Sequence, residues 1–273
     1  MSAKKKAQVW MHLTDTHDGS KTGLTHKPKN PVQKMLFLRW KEALDWFGEE
    51  PDVVHDNGDG WDGKDEKGKD IDEECMIKQA HSHAEIICMA RPKSEVILTT
   101  GTRYHDSHKG QNFIESCKKA IEYRMLKDHN REIKVSIRRK LKTTINGWFR
   151  LEARHFIGGS SIPHGRATAP LRSQMWNVLN AALASKVKGK PVAWPNLLMF
   201  GHRHYYMAAE NAWGDVVVLP SWQALGGIYG DEMMDGHVDL GLMKTTIQPT
   251  GGEGWERKKI LFQAGVVERT EHR

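Results

Sequence analysis

Apolar residues recur along this chain in two rhythms. Short β-prone runs appear at 7–14 ("AQVWMHLT"), 51–57 ("PDVVHDN") and 94–100 ("SEVILTT"). Between them lie longer stretches with helical spacing. Residues 31–47 place Pro31 in a plausible first turn. Residues 70–90 predict a helix with acidic residues in its first turn, where the helix dipole favours them. Residues 111–128 form a third amphipathic pattern. Strand, helix, strand, helix, strand, helix predicts an α/β sandwich with a partly parallel sheet. Ligands in such sheets bind beyond the carboxyl ends of the strands.

The second half has a different rhythm. Residues 132–156 predict two or three antiparallel strands, and 168–187 a helix opened by Pro170. "PNLLMFGHRHYYMAAE" predicts a strand that stops at histidines, and "DVVVLP", "VDLGLMKTTIQ" and "KKILFQAGVV" predict further strands. "PTGGEGW" (249–255) predicts a hairpin loop. No internal repeat and no long linker divides the chain, so residues 1–273 are expected to form one domain.

Composition narrows the class. A chain of 273 residues with 38% hydrophobic and 27% charged residues suits a globular domain with a sizeable core. No apolar run of about 18 residues indicates a membrane span. The start "MSAKKKAQVWMHLTD" has no apolar region of a secretory signal, and its lysines suit a solvated tail. Cys75, Cys88 and Cys117 lack CxxC spacing, which argues against a disulfide framework and a thiolate zinc site, and suits a cytoplasmic location. The net charge of +7 permits a polyanionic partner. The 15 histidines raise the question of which ones carry chemistry.

"DNGDGWDG" (56–63) is, by itself, either an acidic turn or a cation cradle. Its context decides. Asp or His closes strand after strand: Asp15 and His17 in "DTH", Asp59 and Asp62 in "GDGWD", His105 in "GTRYH", His155 in "EARHF", and His202 and His204 in "GHRH". Residues two apart in a strand share a face, and in the following loop they can converge on one ion. Imidazole and carboxylate without thiolate suit Mn, Fe or Zn, and an Asp can bridge two ions.

These blocks resemble the signature of the calcineurin-like metallophosphoesterases: D-x-H, G-D-x-x-D, G-N-H-D/E, a lone H, and G-H-x-H. They span residues 15–204. The resemblance implies a four-layer αββα sandwich with two mixed sheets. It implies two divalent ions, with Mn²⁺ favoured and Fe, Zn, Ni or Mg as alternatives. One ion would take Asp15, His17, bridging Asp59 and His204; the other Asp59, His155, His202 and a ligand from the third block. A metal-bridging hydroxide would attack phosphorus. "RHFIGGSSIPHGRAT" and "LPSWQALGG" look like the phage and prophage subset, and the family includes break-repair nucleases.

The third block departs from the pattern. Thr102 stands where the family has Asn, and the first histidine, His105, comes late. Thr102 or a nearby backbone oxygen is expected to complete the second site, with His105 as general acid or, alternatively, as a ligand. Arg103, His164 and Arg166 are candidate contacts to substrate phosphate, Arg offering a bidentate fork. "GGSS" (158–161) offers backbone N–H groups or simply a turn.

Several residues are expected to be structural. Asp56 and Asp62 serve the turn, Asn57 lies near Asp59, and His55 is either a support for the site or a packing residue. His81 and His83 are expected at the surface, since on a helix they lie roughly 200° apart and cannot share an ion. The basic stretch 131–142 suits a hairpin tracking nucleic acid or a charged edge strand. The expected activity is therefore a phosphodiesterase or nuclease on DNA or RNA. The alternatives are a phosphatase on a small molecule or a protein that binds metal and nucleic acid without cutting.

Overall fold

A computed structural model describes residues 6–63, 71–73, 75–102, 105, 107–108, 111–159, 163–225, 238–263 and 266–272. Strand β1 (Gln8–Leu13) alternates, sending Val9, Met11 and Leu13 towards the helices and Trp10 to the opposite face. Helix α1 (Pro31–Phe47) starts at Asn30, whose side chain accepts from the Gln33 N–H at 2.9 Å, and stops at the left-handed Gly48. Strand β2 (Val53–Asp56), helix α2 (Met76–Met89) and strand β3 (Glu95–Thr99) follow. A small hairpin, β4 (Ser107–His108) and β5 (Gln111–Asn112), leads into α3 (Phe113–His129) and β6 (Lys134–Arg138). The remaining elements are β7 (Leu141–Ile145), β8 (Phe149–Arg154), α4 (Thr168–Lys188), β9 (Leu197–Phe200), β10 (Met207–Asn211), β11 (Gly214–Val218), β12 (Leu240–Ile247), β13 (Trp255–Gln263) and β14 (Val266–His272).

Two mixed sheets result, ordered β14-β13-β12-β1-β2-β3-β6 and β10-β11-β9-β8-β7. Within them β1, β2, β3 and β6 run parallel, as do β8, β9 and β11. Helices α1 to α3 cover the seven-stranded sheet through Leu36, Trp40, Ile87 and Ile121. Trp10, Val53 and Ile97 of that sheet meet Phe149, Leu197 and Val217 of the other. Helix α4 lies on the far side, where Ala169 packs against a cluster containing Leu198, Phe200 and Val216. The layers are thus helix, sheet, sheet, helix. Among the described residues no helix is long and apolar enough to cross a membrane.

Three expectations change. The stretch 132–156 is not one antiparallel group: β6 pairs parallel with β3, while β7 and β8 form a hairpin in the other sheet. The β3–α3–β6 crossover explains this, because it delivers β6 alongside an open parallel edge. The basic residues at 131–142 therefore sit on two separate edges. Four of them are paired: Arg131 with Glu50 at 3.0 Å, Lys134 with Glu95 at 2.8 Å, and Lys140 and Lys142 with Glu152. The acidic residues before α2 precede the helix, whose first turn carries none. Asp72 instead accepts from Asn30 at 2.8 Å and Gln33 at 3.2 Å, joining that loop to the start of α1. Finally, His83 is fully buried.

His55 has a packing role, in a polar line across four neighbouring strands. Thr245 Oγ1 meets His12 Nε2 at 2.9 Å, the two Nδ1 atoms of His12 and His55 meet at 3.2 Å, and His55 Nε2 meets Thr99 Oγ1 at 3.0 Å. Both imidazoles are fully buried. Burial lowers both rings' pKa, to about 3 for His55, and the neighbouring His55 lowers that of His12 further.

A histidine with a depressed folded pKa contributes its full stability above about pH 6.5 and loses it as the pH falls towards the folded value. Between about pH 6.5 and 5 the loss is about 2 kcal/mol for one such group. Thermal or urea unfolding should therefore show wild type losing more stability than His55→Gln over that interval. Parallel pH profiles for the two proteins would contradict the assignment.

Candidate metal centre

The site forms where the carboxyl ends of both sheets meet. Asp15 and His17 follow β1, Asp59 follows β2, Thr102 follows β3, His155 follows β8, and His202 and His204 follow β9. Five of these residues, Asp15, His17, Asp59, His202 and His204, have φ between 46° and 70°. Non-glycine residues avoid this left-handed region, so the fold must hold them there. Glycine then permits close approach. A Cβ on Gly101 would lie 2.0 Å from Asp59 Oδ1, and one on Gly58 would lie 2.8 Å from Gly101 Cα.

Each carboxylate has one oxygen tied to the scaffold. Asp15 Oδ2 accepts from the Thr14 hydroxyl at 2.8 Å and the His202 N–H at 2.9 Å. Asp59 Oδ1 accepts from the Thr102 N–H at 2.6 Å and its hydroxyl at 3.2 Å. Thr102 is therefore placed against Asp59 as a donor. The other oxygens face imidazoles. Asp15 Oδ1 lies 3.3 Å from His204 Nε2, 3.7 Å from His155 Nε2 and 3.8 Å from His17 Nε2. Asp59 Oδ2 lies 2.9 Å from His155 Nε2 and 3.9 Å from both His105 Nε2 and His202 Nδ1.

Three histidines are anchored in the same way. Nδ1 contacts Asp62 Oδ1 at 2.9 Å in His17, the Asp62 carbonyl at 2.6 Å in His105, and the Asn57 carbonyl at 2.7 Å in His155. Each ring thus presents Nε2 to the cluster, the arrangement that outer contacts impose on metal-binding histidines. Asp62 orients two rings. Asn57 acts through its backbone, and its side-chain N–H donates to the Arg154 carbonyl at 3.3 Å.

Asp15 Oδ1, His17 Nε2 and His155 Nε2 are buried and make no hydrogen bond. Such atoms are costly unless an ion takes them. Three ligand sets have atoms within 4.8 Å of one another: Asp15, His17 and His204; His17, Asp59 and His105; and Asp59, His155 and His202. The donor set fits divalent cations.

The electrostatics agree. Burial pushes the Asp15 and Asp59 carboxyls up, but the imidazoles beside them, His155 and His204 for Asp15 and His155 and His105 for Asp59, hold both well below the ordinary range. Burial works against a charged His17, yet the Asp15 and Asp62 carboxylates beside it raise it to about 10. Asp59 and Asp15 likewise outweigh burial at His155 and raise it to about 9. Burial prevails at His105 and His204, which are lowered.

Sequence reasoning missed His83 as a support. Its Nε2 lies 2.8 Å from Asp56 Oδ2 and its Nδ1 3.0 Å from Thr16 Oγ1, whose hydroxyl donates to the Gly60 carbonyl at 2.7 Å. One buried ring thus ties α2 to both acidic loops. Helical spacing carried the signal, since His83 shares the inner stripe of α2 with Gln79, Ala80 and Ile87. His81 is exposed, as expected.

His164 sits on a short 3-10 turn, Pro163–Gly165, and is exposed. The Arg166 guanidinium lies 4.6 Å from the centre of the Tyr205 ring. Among the described residues, neither makes a hydrogen bond or ion pair with the clustered candidate ligands. Arg103 lies outside the described residues, as do residues 160 and 161 of the Gly-Ser run.

No family model matches the sequence, and no curated protein matches it. Solved structures do share its architecture. Vacuolar Protein Sorting 29 from Cryptosporidium parvum is 11% identical, with 98% of each chain covered and a TM-score of 0.51. Wild-type Vps29 complexed with zinc, from Entamoeba histolytica, is 11% identical over 97% of this chain and 98% of that one, with a TM-score of 0.47. A novel archaeal phosphodiesterase is 13% identical over 93% of this chain and 99% of that one, with a TM-score of 0.43. The first of these carries the likeness, and what it establishes is the fold: a four-layer sandwich of two mixed sheets between helices.

Protons and a divalent cation would compete for this cluster. His17 and His155, raised to about 10 and about 9, hold protons at neutral pH that a cation must displace. Apparent affinity for Mn²⁺ should therefore rise from about pH 7 to 9, with proton release seen by calorimetry in buffers of different ionisation enthalpy. A flat profile would contradict this. Asp62→Ala, which frees the His17 ring, should weaken Mn²⁺ binding by about 10–100-fold in the same titration.

Proposed function

We propose that this protein is a divalent-metal-dependent phosphoesterase, acting on phosphodiesters of DNA or RNA. The observation that carries the reading is the paired anchoring just described. Two carboxylates and three histidines each have one polar atom fixed by the scaffold and another turned into a shared buried cluster. Asp15, His17, Asp59 and His204 would hold one ion, and Asp59, His155 and His202 a second. Bound there, divalent ions supply Lewis-acid charge and lower the pKa of water.

The protein's own residues fix the rest. Asp59 is central because its Oδ2 faces His155 and His202 of the second set, and because Asp59 also clusters with His17 of the first. Thr102 fastens the opposite oxygen, which keeps Asp59 from turning away. The Asp62 carbonyl is only an acceptor, so His105 Nδ1 carries the proton, and Nε2 of the neutral ring is an acceptor. That tautomer favours a ligand or base role for His105 over the acid role. The net charge of +7 supports a polyanionic substrate. The ion pairs at residues 131–142 weaken that part of the case and favour a second reading, a phosphatase acting on a small phosphate ester.

With Mn²⁺, the purified protein should hydrolyse bis(p-nitrophenyl) phosphate, and Asp59→Asn should lower kcat/KM by on the order of 10²–10³-fold or more. Absence of turnover with every diester, monoester and nucleotide tried would leave metal and nucleic-acid binding without cleavage. Affinity for long DNA that falls steeply with salt supports the nuclease reading. Activity confined to small esters supports the phosphatase. His105→Ala separates the two roles of that ring: loss of bound metal marks a ligand, and full metal content with slow turnover marks an acid.

A further inference from the structure

We propose that Phe156 is a stacking platform for a nucleobase next to the reacting phosphate, with the Arg203 guanidinium farther along the same rim for a neighbouring phosphate. The proposal rests on the phosphodiesterase reading and names the part of the substrate that reading leaves open.

Phe156 directly follows His155 and is 63% exposed, although phenylalanine is among the residues most often buried. Its neighbours are not: His155 is 2% exposed and points into the cluster, and Ile157 is 7% exposed within the core beneath α4. The chain thus alternates in, out, in as it leaves β8, and presents the ring at the rim of the centre. The ring is also held. Its centroid lies 4.9 Å from that of His202, at an interplanar angle of 42°, and His202 in turn lies 5.4 Å from His155. The ring therefore packs on a candidate ligand while much of its surface stays in water.

Arg203 continues the same wall. A Cβ on Gly159 would lie 2.4 Å from Arg203 Nε and 2.8 Å from its Cζ, so the guanidinium lies directly over that glycine. Its Nε is buried and makes no hydrogen bond. Residues 156–159 and 202–203 thus pack as one rim, with an aromatic ring at one end and a planar cation at the other. A phosphate ester carrying no aromatic group has no use for this ring. A nucleotide does, because every base offers a π-face, and base–aromatic stacking tolerates any sequence. Arg suits the phosphate next along a chain.

The test compares two esters with the same leaving group, thymidine 5′-(p-nitrophenyl phosphate) and ethyl p-nitrophenyl phosphate, on Mn²⁺-loaded protein. The quantity of interest is the ratio of their kcat/KM values. Wild type should prefer the nucleoside ester. Phe156→Ala and Phe156→Leu should lower that preference roughly tenfold, the scale of one stacked base, mainly through KM. Phe156→Trp should keep or raise it. An unchanged ratio, or equal losses with both esters, would mean that Phe156 merely buttresses His202, and would overturn the proposal. If no metal-loaded preparation cleaves either ester, the hydrolase reading fails separately. Binding of thymidine 5′-monophosphate to the Mn²⁺-loaded protein then decides the platform. Roughly tenfold weakening in Phe156→Ala, restored by Phe156→Trp, supports it. No binding by wild type, or an unaltered Kd in Phe156→Ala, overturns it.

Discussion

Two carboxylates, Asp15 and Asp59, are buried side by side, and their inward oxygens face imidazoles where a guanidinium or ammonium would be the usual partner. Much of the surrounding architecture exists to hold that arrangement. Burying two anions is expensive unless each is hydrogen-bonded and electrically compensated. Thr14 and the His202 N–H bind one of them, and Thr102 binds the other. The backbone pays as well, with five candidate ligand residues in left-handed conformations at about 1–3 kcal/mol each. Such strain persists only where packing over-determines the geometry. The tight passage of Gly58 past Gly101, and of Gly101 past Asp59, is that packing.

The arrangement also joins the two sheets. Asp15, His17 and Asp59 leave the seven-stranded sheet, while His155, His202 and His204 leave the five-stranded one. Each proposed ligand set draws on both. A cation that binds only the folded cluster therefore clamps the sheets together at their carboxyl ends and adds to stability by mass action. The apolar layer between the sheets, with Trp10, Phe149 and Leu197, supplies the rest of that union without any ion. This division of labour lets the protein fold around a cluster of mutually compensating charges.

How much of this was legible in the sequence depended on the range of the interaction. Asp15-Thr16-His17 and His202-Arg203-His204 could be read because two-residue spacing after a strand is a local geometric fact. The placement of β6 could not, since Lys134–Arg138 looks like a partner for Leu141–Ile145 until the β3–α3–β6 crossover is seen. The start of α2 was misjudged for a similar reason: Asp72 finds its partners on Asn30 and Gln33, some forty residues away in sequence. His83 was partly legible. It and His81 face opposite ways on α2, so one of them faces inward, and the inner stripe of the helix identifies which. Thr102 remained ambiguous because a threonine in place of an amide says nothing about which atom it will donate to.

The histidines show why residue type alone does not decide a role. His12 and His55 are as deeply buried as His17 and His155, yet their proton affinities move in opposite directions. Burial disfavours the charged ring in all four. What differs is the neighbour. His12 and His55 meet hydroxyls and each other, so nothing repays the cost of a proton, and both rings act as neutral links in a chain of hydrogen bonds. His17 and His155 meet carboxylates, which repay that cost and favour a positive charge at the ring nitrogen. The first pair lies within strands, where the sheet supplies neighbours of its own kind. The second lies just past strand ends, where left-handed turns bring acidic loops alongside. A place suited to hold a proton between carboxylate and imidazole is also suited to hold a cation, which is why the candidate centre lies in the loops and not at the buried histidine pair inside the sheet.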